Sequence, residues 1–240
     1  MPRPVPIIAL DVPDAARAHA LLDRLGPSAD FVKVGLQLFV AEGPSVVREM
    51  RERGCRVFLD LKLHDIPNTV AKATGSAAAL GVELLTVHAG GGAAMLRAAR
   101  SAAGEIGAGG PALLAVTVLT SLSGAELGEA WGRGAVDTGA EVERLAALAA
   151  ASRMDGVVAS VHEIAAVRRA GDGLRVLTPG IRLAGDDAGD QTRVATPAEA
   201  ARLGADYVVL GRSVTAAADP AAALARAVVE LGGAAAGSAS

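Results

Sequence analysis

The sequence predicts an α/β protein, a single-domain (β/α)8 TIM barrel, on three observations. The chain has 240 residues, close to the roughly 250 that such barrels use as one domain. Along it, short β-rich runs alternate with longer Ala/Leu/Arg/Glu segments of helical spacing, in eight β-then-α units. The β-rich runs are mostly continuous apolar stretches, as in Leu113-Leu-Ala-Val-Thr-Val-Leu119. Such runs suit parallel strands covered on both faces, not a half-exposed sheet. Length alone also allows two smaller domains. A doubly wound open sheet would normally use fewer strands or add a second domain.

Taken in order, the first strand falls near 5–10 and a helical stretch follows near 14–25. The second strand, near 30–35, leads to a helix near 43–53; the third, near 56–61, to one near 67–80. Strand four, near 83–88, precedes a helix near 91–103, and strand five, near 112–118, one near 138–152. Between those last two, residues 121–137 hold an extra short helix, a lip over the barrel mouth. Strands near 155–159, 174–178 and 206–210 pair with helices near 161–169, 197–203 and 213–231. The pattern repeats but the sequence does not, so no solenoid is expected. The catalytic barrel spans 1–231, and 232–240, Gly-Gly-Ala-Ala-Ala-Gly-Ser-Ala-Ser, reads as a low-complexity tail.

Composition narrows the function classes. With 51% hydrophobic but only 2% aromatic residues, the core must be aliphatic. The formal net charge is −3, and no basic tract or aromatic ladder marks a nucleic-acid surface, so no polymer partner is expected. A single cysteine, Cys55, excludes an intramolecular disulfide framework and reads as a small apolar residue. Nowhere do about 18 apolar residues run uninterrupted, so no transmembrane helix is expected. The start lacks a signal-peptide core, which makes a cytoplasmic location the expectation.

In a barrel of this kind the active site lies at the C-terminal ends of the strands, so the polar residues there matter most. Strand one ends at Asp11, and strand two carries Lys33. Strand three carries Asp60 and Lys62 in Phe58-Leu-Asp-Leu-Lys-Leu-His-Asp65. Strand side chains alternate faces, so Asp60 and Lys62 share one face and Leu59 and Leu61 the other. With the leucines against the helices, both charges point into the barrel, where a charge is costly unless paired. Lys33 on the neighbouring strand completes a Lys–Asp–Lys cluster, with Asp65 in the loop beyond. A structural ion pair plugging the mouth is the bland alternative.

The opposite side of the mouth suits an anion. Strand eight runs through Gly211 and Arg212 straight into the last helix. Backbone N–H groups at such a junction, with the helix dipole, bind anions, and barrels commonly place a phosphate after strands seven and eight. Arg212 adds a bidentate clamp. Strand seven contributes Thr178-Pro-Gly-Ile-Arg182, and the polar loop 183–195 that follows has lid length, with Arg182 and Gln191 as ligand candidates.

Together these residues resemble the orotidine 5′-phosphate decarboxylase family, in its short bacterial form. The most specific piece, Asp60-Leu-Lys-Leu-His-Asp-Ile-Pro-Asn-Thr69, fits the family's Asp-x-Lys-x-x-Asp signature. Supporting pieces are Lys33-Val-Gly35, Val118-Leu-Thr-Ser121, Thr178 to Arg182 and Asp190-Gln-Thr-Arg-Val-Ala-Thr-Pro197. The resemblance implies that Asp11 and Lys33 hold ribose hydroxyls and that Thr120 reads the pyrimidine edge. It implies that Arg182, Gln191, Gly211 and Arg212 grip the 5′-phosphate region. It makes Lys62 the proton donor, with Asp60 beside the departing carboxylate. It also implies a homodimer in which Asp65 and Thr69 reach the neighbouring site, and no cofactor or metal.

That chemistry suits these groups. Decarboxylation at pyrimidine C6 leaves a carbanion with no adjacent carbonyl to take the charge as an ordinary enolate. No metal-ligand cluster, Schiff-base motif or dinucleotide fingerprint in the sequence offers an electron sink. Preorganised electrostatics must then carry the stabilisation. The nearest rival is a Mg-dependent sugar-phosphate decarboxylase of the same suprafamily, which needs a carboxylate on strand two where this chain has Lys33. A non-catalytic nucleotide-binding barrel would lack one of Lys33, Asp60, Lys62 or Asp65, and all four are present. Of the histidines, His64 reads as an exposed loop residue and His88 as a packing residue at the mouth. Trp131 and Tyr207 read as packing residues.

Overall fold

The computed structural model describes residues 3–105, 107–183 and 194–233. Eight parallel strands close into a barrel: β1 Val5–Ala9, β2 Phe31–Gly35, β3 Arg56–Leu63, β4 Leu84–His88, β5 Ala112–Val116, β6 Gly156–Val158, β7 Arg175–Ile181 and β8 Tyr207–Leu210. Each pairs with its sequence neighbour, and β1 closes on β8 through Val5↔Tyr207 to Ile8↔Leu210. The helices are α1 Ala15–Leu25, α2 Leu36–Glu42, α3 Pro44–Glu52, α4 Pro67–Ala79, α5 Gly92–Glu105, α6 Gly124–Ala130, α7 Thr138–Ala151, α8 Ile164–Ala170, α9 Pro197–Leu203, α10 Arg212–Thr215 and α11 Pro220–Gly233. This is the expected (β/α)8 barrel. The expected tail lies outside the described residues from 234 onward.

Strand alternation divides the core in two. Ile8, Val32, Leu59 and Val208 face the helices, alongside Leu22, Met50 and Leu96. Ile7, Phe31, Phe58, Leu114 and Val209 fill the barrel interior. At the N-terminal end the barrel has a floor: Phe31 meets Tyr207 edge-on, and the Arg56 guanidinium lies 4.1 Å above the Phe31 ring. Arg56 is itself held by Glu83 through two hydrogen bonds of 2.5 and 2.7 Å. Arg175 donates to the Tyr207 hydroxyl at 2.9 Å. Tyr207 is thus a packing residue, as expected. Burial pushes the Cys55 thiol up, with Arg53 pulling the other way, which favours the thiol over the thiolate.

Local chemistry sets the helix starts. Asp14 caps α1 by accepting from the Arg17 N–H, Asp137 caps α7, and Thr196 caps α9. The extra helix expected in 121–137 is α6, started by a capping box between Ser123 and Glu126. Three features depart from the expected elements. Residues 36–42 form a helix of their own, α2, directly after β2. The final helix, expected unbroken over 213–231, splits into α10 and α11 because Pro220 has no N–H to continue a helix and begins a new one. Strands β3 and β7 run on to Leu63 and Ile181.

Those extensions shape the mouth. Leu59 pairs with Leu85 and Leu63 with Val87, so β3 advances four residues while β4 advances two. On the far side Thr178 pairs with Val208 and Ile181 with Leu210, three residues against two. Gly180 takes up the extra residue at φ 76°, a backbone open to glycine. Bulges therefore stand on opposite walls of the opening.

Candidate active site

The strand ends surround a cavity of about 460 Å3, within the range of small-molecule sites. Asp11, Lys33, Asp60 and Lys62 line one side; Arg182, Gly211 and Arg212 line the other, with Thr120 and Ser121 between. The cavity's apolar lining includes Phe58, Val116, Val158, Leu177 and Val209.

The four charged side chains form an alternating chain. Lys33 Nζ donates to Asp11 Oδ1 at 2.7 Å and stands 4.0 Å from Asp60 Oδ2. Lys62 Nζ donates to the same Asp60 oxygen at 2.8 Å. Strand register sets up the first two links, because Ala9 pairs with Lys33 and Gly35 with Asp60. Lys33 is 8% exposed, and these two carboxylates offset the cost of burying its ammonium. Gly35 leaves the room: a Cβ there would lie 2.9 Å from Lys33 Nζ.

Asp60 and Lys62 meet inside the mouth, but not by simple strand alternation. The β3 bulge intervenes, and Lys62 sits at φ 49°, in the left-handed region. Its backbone N–H donates to Thr86 Oγ1 at 2.9 Å, and that hydroxyl donates to Asp60 Oδ1 at 2.9 Å. Beside them the rings of His64 and His88 stack at 4.9 Å, 15° from parallel. His88 Nδ1 accepts from the Gly90 N–H at 3.2 Å. Burial first, then His64 and Lys62, push His88 below the ordinary histidine range, so it is neutral at neutral pH.

On the far side, Gly211 precedes α10 and Arg212 opens it. The Arg182 N–H donates to the Ala195 carbonyl at 2.9 Å, and the Ala195 N–H donates to the Gly180 carbonyl at 3.2 Å. The two stems of the 183–195 loop are thereby tied together beside Arg182. Gln191, and the lid expected around it, lie outside the described residues.

With this geometry in view, the sequence pattern of the Orotidine 5'-phosphate decarboxylase / HUMPS family matches residues 4–227. The chain belongs to that family. It is 57% identical over 226 residues to a protein of Alkalilimnicola ehrlichii named orotidine 5'-phosphate decarboxylase, covering 94% of this chain and 95% of the relative. A protein of the same name from Moorella thermoacetica is 54% identical, covering 90% and 88%. Among solved structures, orotidine 5'-phosphate decarboxylase from Lactobacillus acidophilus superposes with a TM-score of 0.82 at 38% identity, covering 96% of this chain and 99% of that one.

Within this decarboxylase-family barrel, Asp65 and Thr69 do not line the cavity. Both are exposed at the start of α4, where Asp65 Oδ1 accepts the Ile66 N–H at 2.6 Å. Around the same edge three large apolar side chains face outward: Leu36 and Val40 on α2 and Ile66 before α4. The sequence reading missed Ser121, Leu119, Pro179 and Gly180, which line the cavity, and Thr86, which lies behind it. Leu119, Ser121, Pro179 and Gly180 stood inside motifs already singled out; Thr86 gave no signal in a buried strand. Among the described residues, no helix is long and apolar enough to cross a membrane.

Proposed function

We infer that the chain removes CO2 from orotidine 5′-phosphate to give UMP in pyrimidine biosynthesis. The observation that carries this reading is the Lys62 ammonium on Asp60, placed in one cavity with Arg182 and Arg212. A nucleotide with its phosphate at the arginines has its base over the lysines.

In the reaction the C6–carboxylate bond breaks, its electron pair stays on C6, and CO2 departs. Lys62 attracts the forming carbanion and then gives C6 a proton, which it regains from solvent. Asp60 holds that ammonium in place and stands beside the departing carboxylate. Asp11 and Lys33 bind the ribose hydroxyls, and Thr120 meets the pyrimidine edge. Arg182, Gly211 and Arg212, with Gln191, hold the 5′-phosphate, whose binding energy fixes the base far from it. No metal is assigned a role, and Lys33 supports this: a cation stands where the sugar-phosphate enzymes need a metal-binding carboxylate.

The site is completed in a homodimer. Leu36, Val40 and Ile66 give an apolar edge for a second copy, and Asp65 and Thr69 sit on that edge, able to reach the neighbouring cavity. A cytoplasmic location belongs to the same reading.

A spectrophotometric assay with orotidine 5′-phosphate, with and without EDTA, tests the assignment. Equal loss of substrate absorbance in both arms is expected. No turnover would end the reading, and turnover abolished by the chelator would move it to the metal-dependent branch.

A further inference from the structure

We infer that Thr86 is a positioning residue for this reaction: its hydroxyl ties the Lys62 backbone to the Asp60 carboxylate and so sets where the ammonium stands. The inference rests on the proposed decarboxylation. Thr86 is fully buried in β4 and does not line the cavity, so it acts only through its neighbours.

Three features of the β3–β4 wall converge on its hydroxyl. The first is the backbone. A left-handed conformation at a residue with a Cβ is unfavourable, and Lys62 adopts it at φ 49°. Something around it must hold it there.

The second is the orphan donor. Ladder alternation, which sends the Arg56 N–H to the Asp30 carbonyl ahead of β2, would turn the Lys62 N–H toward β2 as well. The bulge, four residues of β3 against two of β4, turns it to β4 instead, where a side chain receives it. Thr86 Oγ1 accepts the N–H at 2.9 Å, where an unpartnered donor would be penalised. A threonine hydroxyl accepts and donates at once, which valine of the same shape cannot.

The third is the carboxylate. The Thr86 hydroxyl donates a hydrogen bond to Asp60 Oδ1, which leaves Oδ2 for Lys62 at 2.8 Å and Lys33 at 4.0 Å. The hydroxyl thus fixes the carboxylate plane and directs both ammonium groups to one oxygen. Without it, Asp60 rotates and the lysine backbone loses its anchor. The cationic nitrogen then drifts from the carbon it must protonate.

The test compares Thr86→Val, which keeps shape and loses the hydroxyl, with Thr86→Ser, which keeps the hydroxyl. Well below the melting temperature, kcat of the valine variant should fall roughly ten- to a hundredfold, the scale of a small misplacement. KM for orotidine 5′-phosphate and Kd for UMP should stay within about threefold, and serine should restore most of kcat. A valine variant with near-normal kcat, or a serine variant as slow as valine, overturns the inference. A parallel loss of UMP affinity also overturns it, since that marks general damage. Thr86→Ala is read on the same scale if the valine protein does not fold. Should the wild type fail to decarboxylate the nucleotide, the proposed reaction falls and the geometry is judged alone. In that case, a crystal structure of the valine or alanine variant with Lys62 still left-handed and its ammonium still on Asp60 overturns the positioning role.

Discussion

Lys33 and Lys62 share one oxygen of Asp60. The Oδ2 atom lies 2.8 Å from Lys62 Nζ and 4.0 Å from Lys33 Nζ, and Lys33 is held on its other side by Asp11 at 2.7 Å. Each ammonium group has a carboxylate in reach, which offsets the cost of drawing it out of water. Lys62 is the more exposed of the two.

Replacing Lys62 by Ala should therefore nearly abolish turnover while UMP binding remains measurable by calorimetry. Asp60 keeps Lys33 and the Thr86 hydroxyl, so the fold survives. Retention of more than about a tenth of the wild-type rate, a barrier change of only ~1.4 kcal/mol, would remove Lys62 from the chemistry.

Arg212→Ala should lower kcat/KM for orotidine 5′-phosphate roughly ten- to a hundredfold, the scale of a lost charge-assisted hydrogen bond. Orotidine, which has no phosphate, should be turned over almost as well as by the wild type. Equal losses on both substrates would count against a phosphate contact.

Gly35→Ala should harm activity more than stability. The new Cβ lies 2.9 Å from Lys33 Nζ and 3.4 Å from Asp11 Oδ1, so the flexible ammonium end gives way rather than the backbone. Thermal melting and steady-state kinetics on one preparation separate the two effects. A large drop in Tm with unchanged kcat would contradict the expectation.

His88 gives the protein an acid-sensitive element. Its folded-state pKa is depressed, by burial first and then by His64 and Lys62. The unfolded chain therefore takes up this proton first as pH falls below about 6.5. The contribution to stability is complete above that pH and is lost as pH falls toward the folded-state value. Wild-type Tm should decline more steeply between about pH 7 and pH 5 than that of His88→Asn, which keeps an acceptor for the Gly90 N–H. Parallel profiles would dismiss the idea.

If Asp65 serves the neighbouring cavity, inactive Lys62→Ala and Asp65→Ala chains should rescue each other. After refolding together, one mixed site combines an intact Lys62 with the other chain's intact Asp65. About a quarter of wild-type activity is expected from an equal mixture of such dimers. No recovery, with mixed dimers verified by sedimentation, would place Asp65 in its own chain's chemistry.

The sequence disclosed the barrel because parallel strands covered on both faces read as uninterrupted apolar runs, and Leu113 to Val116 are buried throughout. It disclosed the charged chain because Asp11 lies just past β1, while Lys33 and Asp60 stand out as charges inside otherwise apolar strands. Helix α2 stayed hidden for a physical reason: of its large apolar residues only Leu38 is fully buried, while Leu36 and Val40 face outward, so no amphipathic stripe is written there. The β3 bulge was also silent. Plain alternation already placed Asp60 and Lys62 together, and the partner that permits the actual backbone, Thr86, is distant in sequence and looks like any strand threonine. Asp65 and Thr69 were legible as a motif but not as positions, since a single chain does not show what faces them.

Among the described residues, Phe31, Tyr207, Arg56 and Arg175 close the lower end of the barrel and leave the cavity at the strand ends as its doorway. Substrate, gas and nucleotide product all use the opening above the lysines. A freed CO2 molecule must slip out past the nucleotide that released it, or wait for that nucleotide to go. Traffic through this shared exit, and not only bond breaking, then belongs to the turnover time.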